Sequence, residues 1–116
     1  MLLKGKTIFI TGGTGGIGAP LVTLLREAGA QVRLYDRRTD GDLIDNLVPL
    51  CHELSKNTPD ILINMAGNNE FNRAEDQDYE SINLLNLLVP MRTCQAVLPA
   101  MKRRHTGQII NVGSMT

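Results

Sequence analysis

Short apolar runs alternate along this chain with longer stretches in which apolar residues recur every three or four positions. Glycine or another turn-forming residue closes most of them. Residues 7–10, Thr-Ile-Phe-Ile, are β-branched and aromatic and stop at Thr11-Gly12-Gly13, which predicts a buried strand meeting a tight turn. From Gly16 the apolar positions Ile17, Leu21, Leu24 and Leu25 follow helical intervals up to Ala28, with Gly29 as the C-terminal stop. Pro20 fits this helix, because first-turn N–H groups have no intrahelical partner to lose. Residues 31–35 read as a second strand, and strand, helix, strand in that order predicts a parallel pair joined by a right-handed crossover.

The pattern continues less regularly. Leu43, Leu47, Cys51 and Leu54 have helical spacing within residues 39–55, with Asp42 as the expected N-cap and Pro49 as an interruption, so a kinked or late-starting helix is predicted. Residues 61–64 form a third short apolar strand closed by Ala66-Gly67, and residues 68–78 are polar enough for a loop. A long helix is predicted over residues 82–101, with a stripe at Leu87, Met91, Cys94, Leu98 and Met101 and bends at Pro90 and Pro99. Lys102, Arg103 and Arg104 suit its C-terminus, and Gly107 is expected to end it. Residues 108–112 make a fourth strand, and neither an internal repeat nor a linker is visible.

With 116 residues the chain is expected to be a single domain over residues 1–116. Twelve basic and twelve acidic residues give a formal net charge of zero, so no global field points to nucleic acid or an anionic membrane. Any affinity for phosphate must be local. No apolar run approaches the roughly 18 residues that span a bilayer, and the N-terminus leads into a glycine turn rather than a cleavage region, so a cytoplasmic protein is expected. Cys51 and Cys94 sit among apolar residues without a CxxC or His companion, which predicts buried free thiols and no metal site.

The chemistry is concentrated in Thr11-Gly12-Gly13-Thr14-Gly15-Gly16-Ile17-Gly18. Glycines stand where a backbone must turn, approach a phosphate and pack a helix on the sheet, and the helix that follows aims its N–H groups and positive dipole end at the same space. Any strand-to-helix turn can use glycine, so context matters. Here Asp36 ends the next strand, 18 residues beyond Gly18. A carboxylate there accepts hydrogen bonds from both hydroxyls of an adenosine ribose and repels a 2′-phosphate; the alternative is an ordinary turn carboxylate. Arg37 and Arg38 pull the other way, because a guanidinium pairs with a 2′-phosphate, so NAD is favoured over NADP only slightly. A triphosphatase loop is excluded, since Gly18 is followed by Ala19-Pro20 instead of Lys-Ser or Lys-Thr.

These segments resemble, in order, those of the short-chain dehydrogenase/reductase family. Thr11-Gly12 with Gly16-Ile17-Gly18 is similar to its TGxxxGIG turn, although the glycines at 12, 15 and 18 also fit the TGxxGxxG of the epimerase-like branch. Asn64-Met65-Ala66-Gly67 resembles NNAG with Met65 in place of the second Asn. The resemblance implies that Thr11, Gly12, Thr14, Gly16, Ile17, Gly18, Asp36, Arg37, Asn64, Ala66 and Gly67 hold a nicotinamide dinucleotide. It implies catalytic roles for Asn83, which would hold a water of the proton relay, and for Ser114 in the GxIVNVSS-like Gly107-Gln108-Ile109-Ile110-Asn111-Val112-Gly113-Ser114. The expected fold is then an α/β three-layer sandwich, Rossmann-like, with about four parallel strands in the order 2-1-3-4 and a cofactor crevice between strands one and three.

Two departures from the family shape the functional expectation. Only 28 positions separate Asp36 from Asn64, where the family has about another helix and strand, so the strand flanking the adenine is expected to be missing. The family's Tyr-x-x-x-Lys pair lies beyond Ser114, and neither Tyr35, with Thr39 four residues on, nor Tyr79, with Asn83, matches it. The expectation is an N-terminal fragment or split component of an oxidoreductase acting on a small carbonyl or secondary alcohol, without turnover alone. Its fourth strand would be an apolar edge, inviting dimerisation. The alternative is a non-catalytic nucleotide-binding or interaction module.

Overall fold

The computed structural model describes residues 2–12, 18–65 and 87–112. Within them, four strands, β1 (Thr7–Thr11), β2 (Gln31–Tyr35), β3 (Ile61–Asn64) and β4 (Gln108–Asn111), form one sheet in the order β2-β1-β3-β4. Every pairing is parallel, and the register runs Phe9 to Leu62 to Ile109 and Ile10 to Ile63 to Ile110. The predicted order holds.

Residues in register share a face, and the period of two sends alternate side chains to opposite sides. Phe9 and Leu62 pack with Leu47, Leu50 and Leu54 of α3 (Leu47–Lys56) and with Val89, Val97 and Met101 of α4 (Val89–Arg104). Ile8, Ile10 and Ile63 pack on the other side against Val22, Leu21 and Leu25 of α1 (Gly18–Glu27). Helices on both faces make the three layers expected.

Helix ends follow local chemistry. At the end of α1, Gly29 takes φ +98°, its N–H reaches Arg26 O at 3.0 Å, and Ala30 N–H reaches Leu25 O at 3.1 Å, the double closure that a left-handed residue makes possible. Gly29 is therefore the stop the sequence announced. For α4 the corresponding left-handed residue is His105 (φ 56°), with Thr106 N–H on Met101 O at 3.2 Å, so the helix closes two residues before Gly107. Gly107 is needed for another reason: a Cβ there would overlap the Met101 side chain.

Three expectations are corrected. Asp42 is not the cap of α3: its Oδ1 accepts the Ile44 N–H at 3.0 Å and its carbonyl accepts Asn46 Nδ2 at 2.8 Å, closing a separate turn, and the helix starts late at Leu47. Pro49 then falls in the first turn and interrupts nothing. On α4 the buried residues are Val89, Thr93, Val97, Ala100 and Met101, whereas Leu87, Met91 and Leu98 of the expected stripe are exposed. The helix carries two apolar stripes, and the one with smaller side chains lies against the sheet. Cys51 and Cys94 are free but only half-buried, and burial pushes the Cys51 thiol pKa up. A short helix, α2 (Arg37–Asp40), lies between β2 and α3 where the apolar pattern predicts none.

At the N-terminal end of the sheet, Asp60 ties β3 to β1: its Oδ2 accepts the Thr7 N–H at 2.8 Å and the Thr7 hydroxyl at 3.2 Å. Those bonds, the backbone one foremost, hold the Asp60 carboxyl below its ordinary pKa of 3.8. A depressed carboxylate contributes stability that is present above the unfolded pKa and lost as pH falls through the folded one. Asp60→Asn should therefore lower the urea midpoint at pH 7, and the difference from the unsubstituted chain should shrink below about pH 3.8. A difference independent of pH would refute this role.

Candidate functional site: the C-terminal edge of the sheet

The residues picked from sequence converge on one edge. Thr11 ends β1 and is in register with Tyr35 on one side and Asn64 on the other; Asn64 is in register with Asn111. Asp36 follows Tyr35 directly, and Gly18 opens α1 as a buried residue. Gly12 leaves β1 with φ +77°, a conformation that costs glycine nothing and a β-branched residue a great deal. The first turn of α1 contains no acidic residue to oppose an anion. Arg37 begins α2. Thr14, Gly16, Ile17, Ala66, Gly67, Asn83 and Ser114 lie outside the described residues.

Asn64 is the hub. It is 2 % exposed, and Thr11 and Thr93 are 0 % exposed. The Thr11 hydroxyl donates to Asn64 Oδ1 at 3.2 Å, the Thr93 hydroxyl stands 3.1 Å from the same oxygen, and Asn64 Nδ2 donates to Asn111 Oδ1 at 2.9 Å. The Thr93 hydroxyl also lies 2.8 Å from Val89 O and 3.2 Å from Pro90 O, so its single proton has three acceptors within reach. One buried amide thus joins β1, β3, β4 and α4. The main chain repeats the link, with Met65 N–H on Thr11 O at 2.9 Å and Val112 N–H on Asn64 O at 3.0 Å. Met65 itself packs on the opposite face with Ile10 and Ile63, which is why an apolar residue stands there.

Thr93 and Asn111 were missed in the sequence. The signal was present for Thr93: it is the polar member of the i, i+4 series Val89, Thr93, Val97. Asn111 matches the Asn of the GxIVNVSS-like segment, and its place at a strand end gives it no further signal.

On the β2 side, Arg33 pairs with Glu53 of α3 and lies 5.7 Å from the centre of the Phe9 ring. The bond to Glu53 raises the guanidinium pKa and lowers the carboxyl's. Burial, reinforced by Asp40, raises the Tyr35 phenol. Among the described residues β2 has no strand beyond it, as the short 36–64 spacing predicted.

A parallel sheet whose strand order reverses between β1 and β3, with a glycine turn after β1, a carboxylate after β2 and an anchored amide after β3, is a Rossmann-like nucleotide-binding α/β fold. Comparison with known proteins gives the narrower assignment. The short chain dehydrogenase model matches residues 43–116, and the chain belongs to that family. It is 31 % identical over 140 positions to a 3-oxoacyl-(acyl-carrier-protein) reductase of Chlamydia pneumoniae, covering 97 % of this chain and 56 % of the relative. It is 30 % identical to a D-xylose 1-dehydrogenase of Caulobacter vibrioides, covering 98 % and 55 %. A short chain dehydrogenase from Leptospira borgpetersenii, solved with bound NAD+, superposes with a TM-score of 0.76 at 26 % identity over 97 % of this chain and 53 % of that one. The chain spans about half the length of the curated relatives it matches. The first alignment covers 140 positions against a chain of 116 residues, so the relative carries residues within that span that have no counterpart here. Among the described residues, no helix is long and apolar enough to cross a membrane.

Proposed function

We propose that residues 1–116 form, as one domain, the cofactor-binding half of a cytoplasmic NAD-dependent oxidoreductase acting on a small carbonyl or secondary alcohol. The observation that carries this reading is the meeting of Gly12, Asp36 and Asn64 at the C-terminal edge of three adjacent strands, at the point where strand order reverses. The reductase and dehydrogenase names of the relatives and the NAD+ in the Leptospira structure support it.

The residues fit the cofactor. Gly12 leaves β1 at φ +77°, and the start of α1 at Gly18 would hold a pyrophosphate, with Thr14, Gly16 and Ile17 of the intervening sequence as its further contacts. Asp36 accepts the two ribose hydroxyls and disfavours a 2′-phosphate, while Arg37 works in the opposite sense. Asn64 anchors the sheet edge beside which the nicotinamide half would lie, and Ala66 and Gly67 would complete that part of the site. A bound nicotinamide would supply the hydride donor or acceptor. Ser114 would orient the substrate oxygen, and Asn83 would hold a water for proton exchange, as the family resemblance implies. A non-catalytic binding module is the second reading, favoured by the position of β2 at the sheet edge.

Asp36→Asn should weaken NADH binding about tenfold or more, the expected loss when a charge-assisted pair of hydrogen bonds becomes neutral and one acceptor is lost. NADPH binding should tighten, because the carboxylate that repels the 2′-phosphate is gone. Unchanged NADH affinity in this variant would remove Asp36 from the site.

A further inference from the structure

The connection from β2 to α3, residues 36–46, is eleven residues long and folds back on itself at once. Asp36 N–H donates to Asp40 Oδ2 at 2.8 Å, and Asp36 O accepts the N–H groups of Asp40 at 2.7 Å and Thr39 at 3.1 Å. The Tyr35 hydroxyl donates to Asp40 O at 3.0 Å. The two ends of α2 are therefore clamped to each other, and the Asp40 carboxylate is held against the peptide of Asp36. Asp42, by contrast, spends its carboxylate on the Ile44 N–H.

We propose that Asp40 is a specificity-determining residue of the cofactor site: it fixes the main chain that carries Asp36 and adds a second negative charge beside the adenosine ribose, so that the chain selects the unphosphorylated ribose. This rests on the dinucleotide reading given above. Four aspartates (36, 40, 42 and 45) against two arginines (37 and 38) leave residues 36–46 net negative, and the field of Asp40 is felt nearby. It adds to burial in raising the Tyr35 pKa and to the Glu53 bond in raising that of Arg33. A 2′-phosphate carries between one and two negative charges and would meet two carboxylates there instead of one. With solvent-exposed charges several ångströms apart, the added repulsion corresponds to about a three- to tenfold loss of affinity, and salt screens it.

The experiment titrates the 116-residue chain and its Asp40→Asn, Asp40→Ser and Asp40→Ala variants with NADH and NADPH, following cofactor fluorescence at low and high salt. Circular dichroism establishes that each variant is folded. Asn and Ser keep an acceptor for the Asp36 N–H and lose the charge. They should bind NADPH about three- to tenfold more tightly than the unsubstituted chain, with NADH within twofold, and high salt should erase the gain. Asp40→Ala loses the acceptor too and should also weaken NADH. An unchanged NADPH to NADH ratio in folded Asn or Ser variants that still bind NADH would overturn the role of Asp40 alone. Failure of the unsubstituted chain to bind either nucleotide would overturn the dinucleotide reading and this proposal with it.

Discussion

Valine in place of Gly12 is expected to weaken NADH binding at least about 100-fold while the sheet remains folded, a loss of main-chain hydrogen bonds to a charged ligand together with steric exclusion of it. Gly12 sits at φ +77°, where a β-branched side chain is strained by about 1–3 kcal/mol, so the turn must rearrange or hold the strain. Either outcome displaces the N–H groups that follow β1. The β1 and β3 ladder does not depend on Gly12, because Met65 N–H binds Thr11 O and the register from Ile8 to Thr11 lies upstream. The variant should therefore unfold at a moderately lower urea concentration and still show the circular dichroism of an α/β domain. Wild-type NADH affinity in Gly12→Val would mean that the ligand does not approach this turn.

Asn64→Leu is expected to cost about 2–4 kcal/mol of folding stability, the largest loss from any single substitution discussed for this chain. The side chains are close in volume, so little of that is cavity. The cost comes from Thr11 and Thr93, both fully buried, and from Asn111, whose partner at the hub disappears. Thr93 can turn its proton to Val89 O and recover part of the loss. Thr11 has no second side-chain partner among the described residues. Chemical unfolding followed by circular dichroism measures the change, and a loss under about 1 kcal/mol would contradict the hub. Because Asn64 stands beside the nucleotide crevice, the folded fraction of Asn64→Leu should also bind NADH more weakly.

What could be read from the sequence was local. β2 and β3 are legible to the residue because short apolar runs bounded by turn residues admit one reading, and the alternation of strands and helices implies parallel pairing, whereas the 2-1-3-4 order is what the family resemblance implies. Gly29 and Gly12 declared themselves because left-handed positions select glycine. The errors arose where tertiary contact overrode local pattern. Leu87, Met91 and Leu98 make the more conspicuous stripe in the segment that carries α4, yet the smaller Val89, Thr93 and Val97 are buried, since close approach to the sheet and to Asn64 decides the face. Asp42 looked like a helix cap because its distance from Leu43 fits one. Its carboxylate instead accepts the Ile44 N–H within a turn of the connection between β2 and α3. Asp40 was invisible as a partner of Asp36, because a four-residue helix has too little periodicity to announce itself.

The central claim is that the edge formed by Gly12, Asp36 and Asn64 holds a nicotinamide dinucleotide. The chain contains no tryptophan, so the fluorescence of NADH can be followed without an indole background. Titration of NADH with the unsubstituted protein should give a saturable enhancement that NAD+ and ADP-ribose reverse and that Gly12→Val abolishes. A linear, non-saturating response, or one that ADP-ribose leaves untouched, would contradict the claim.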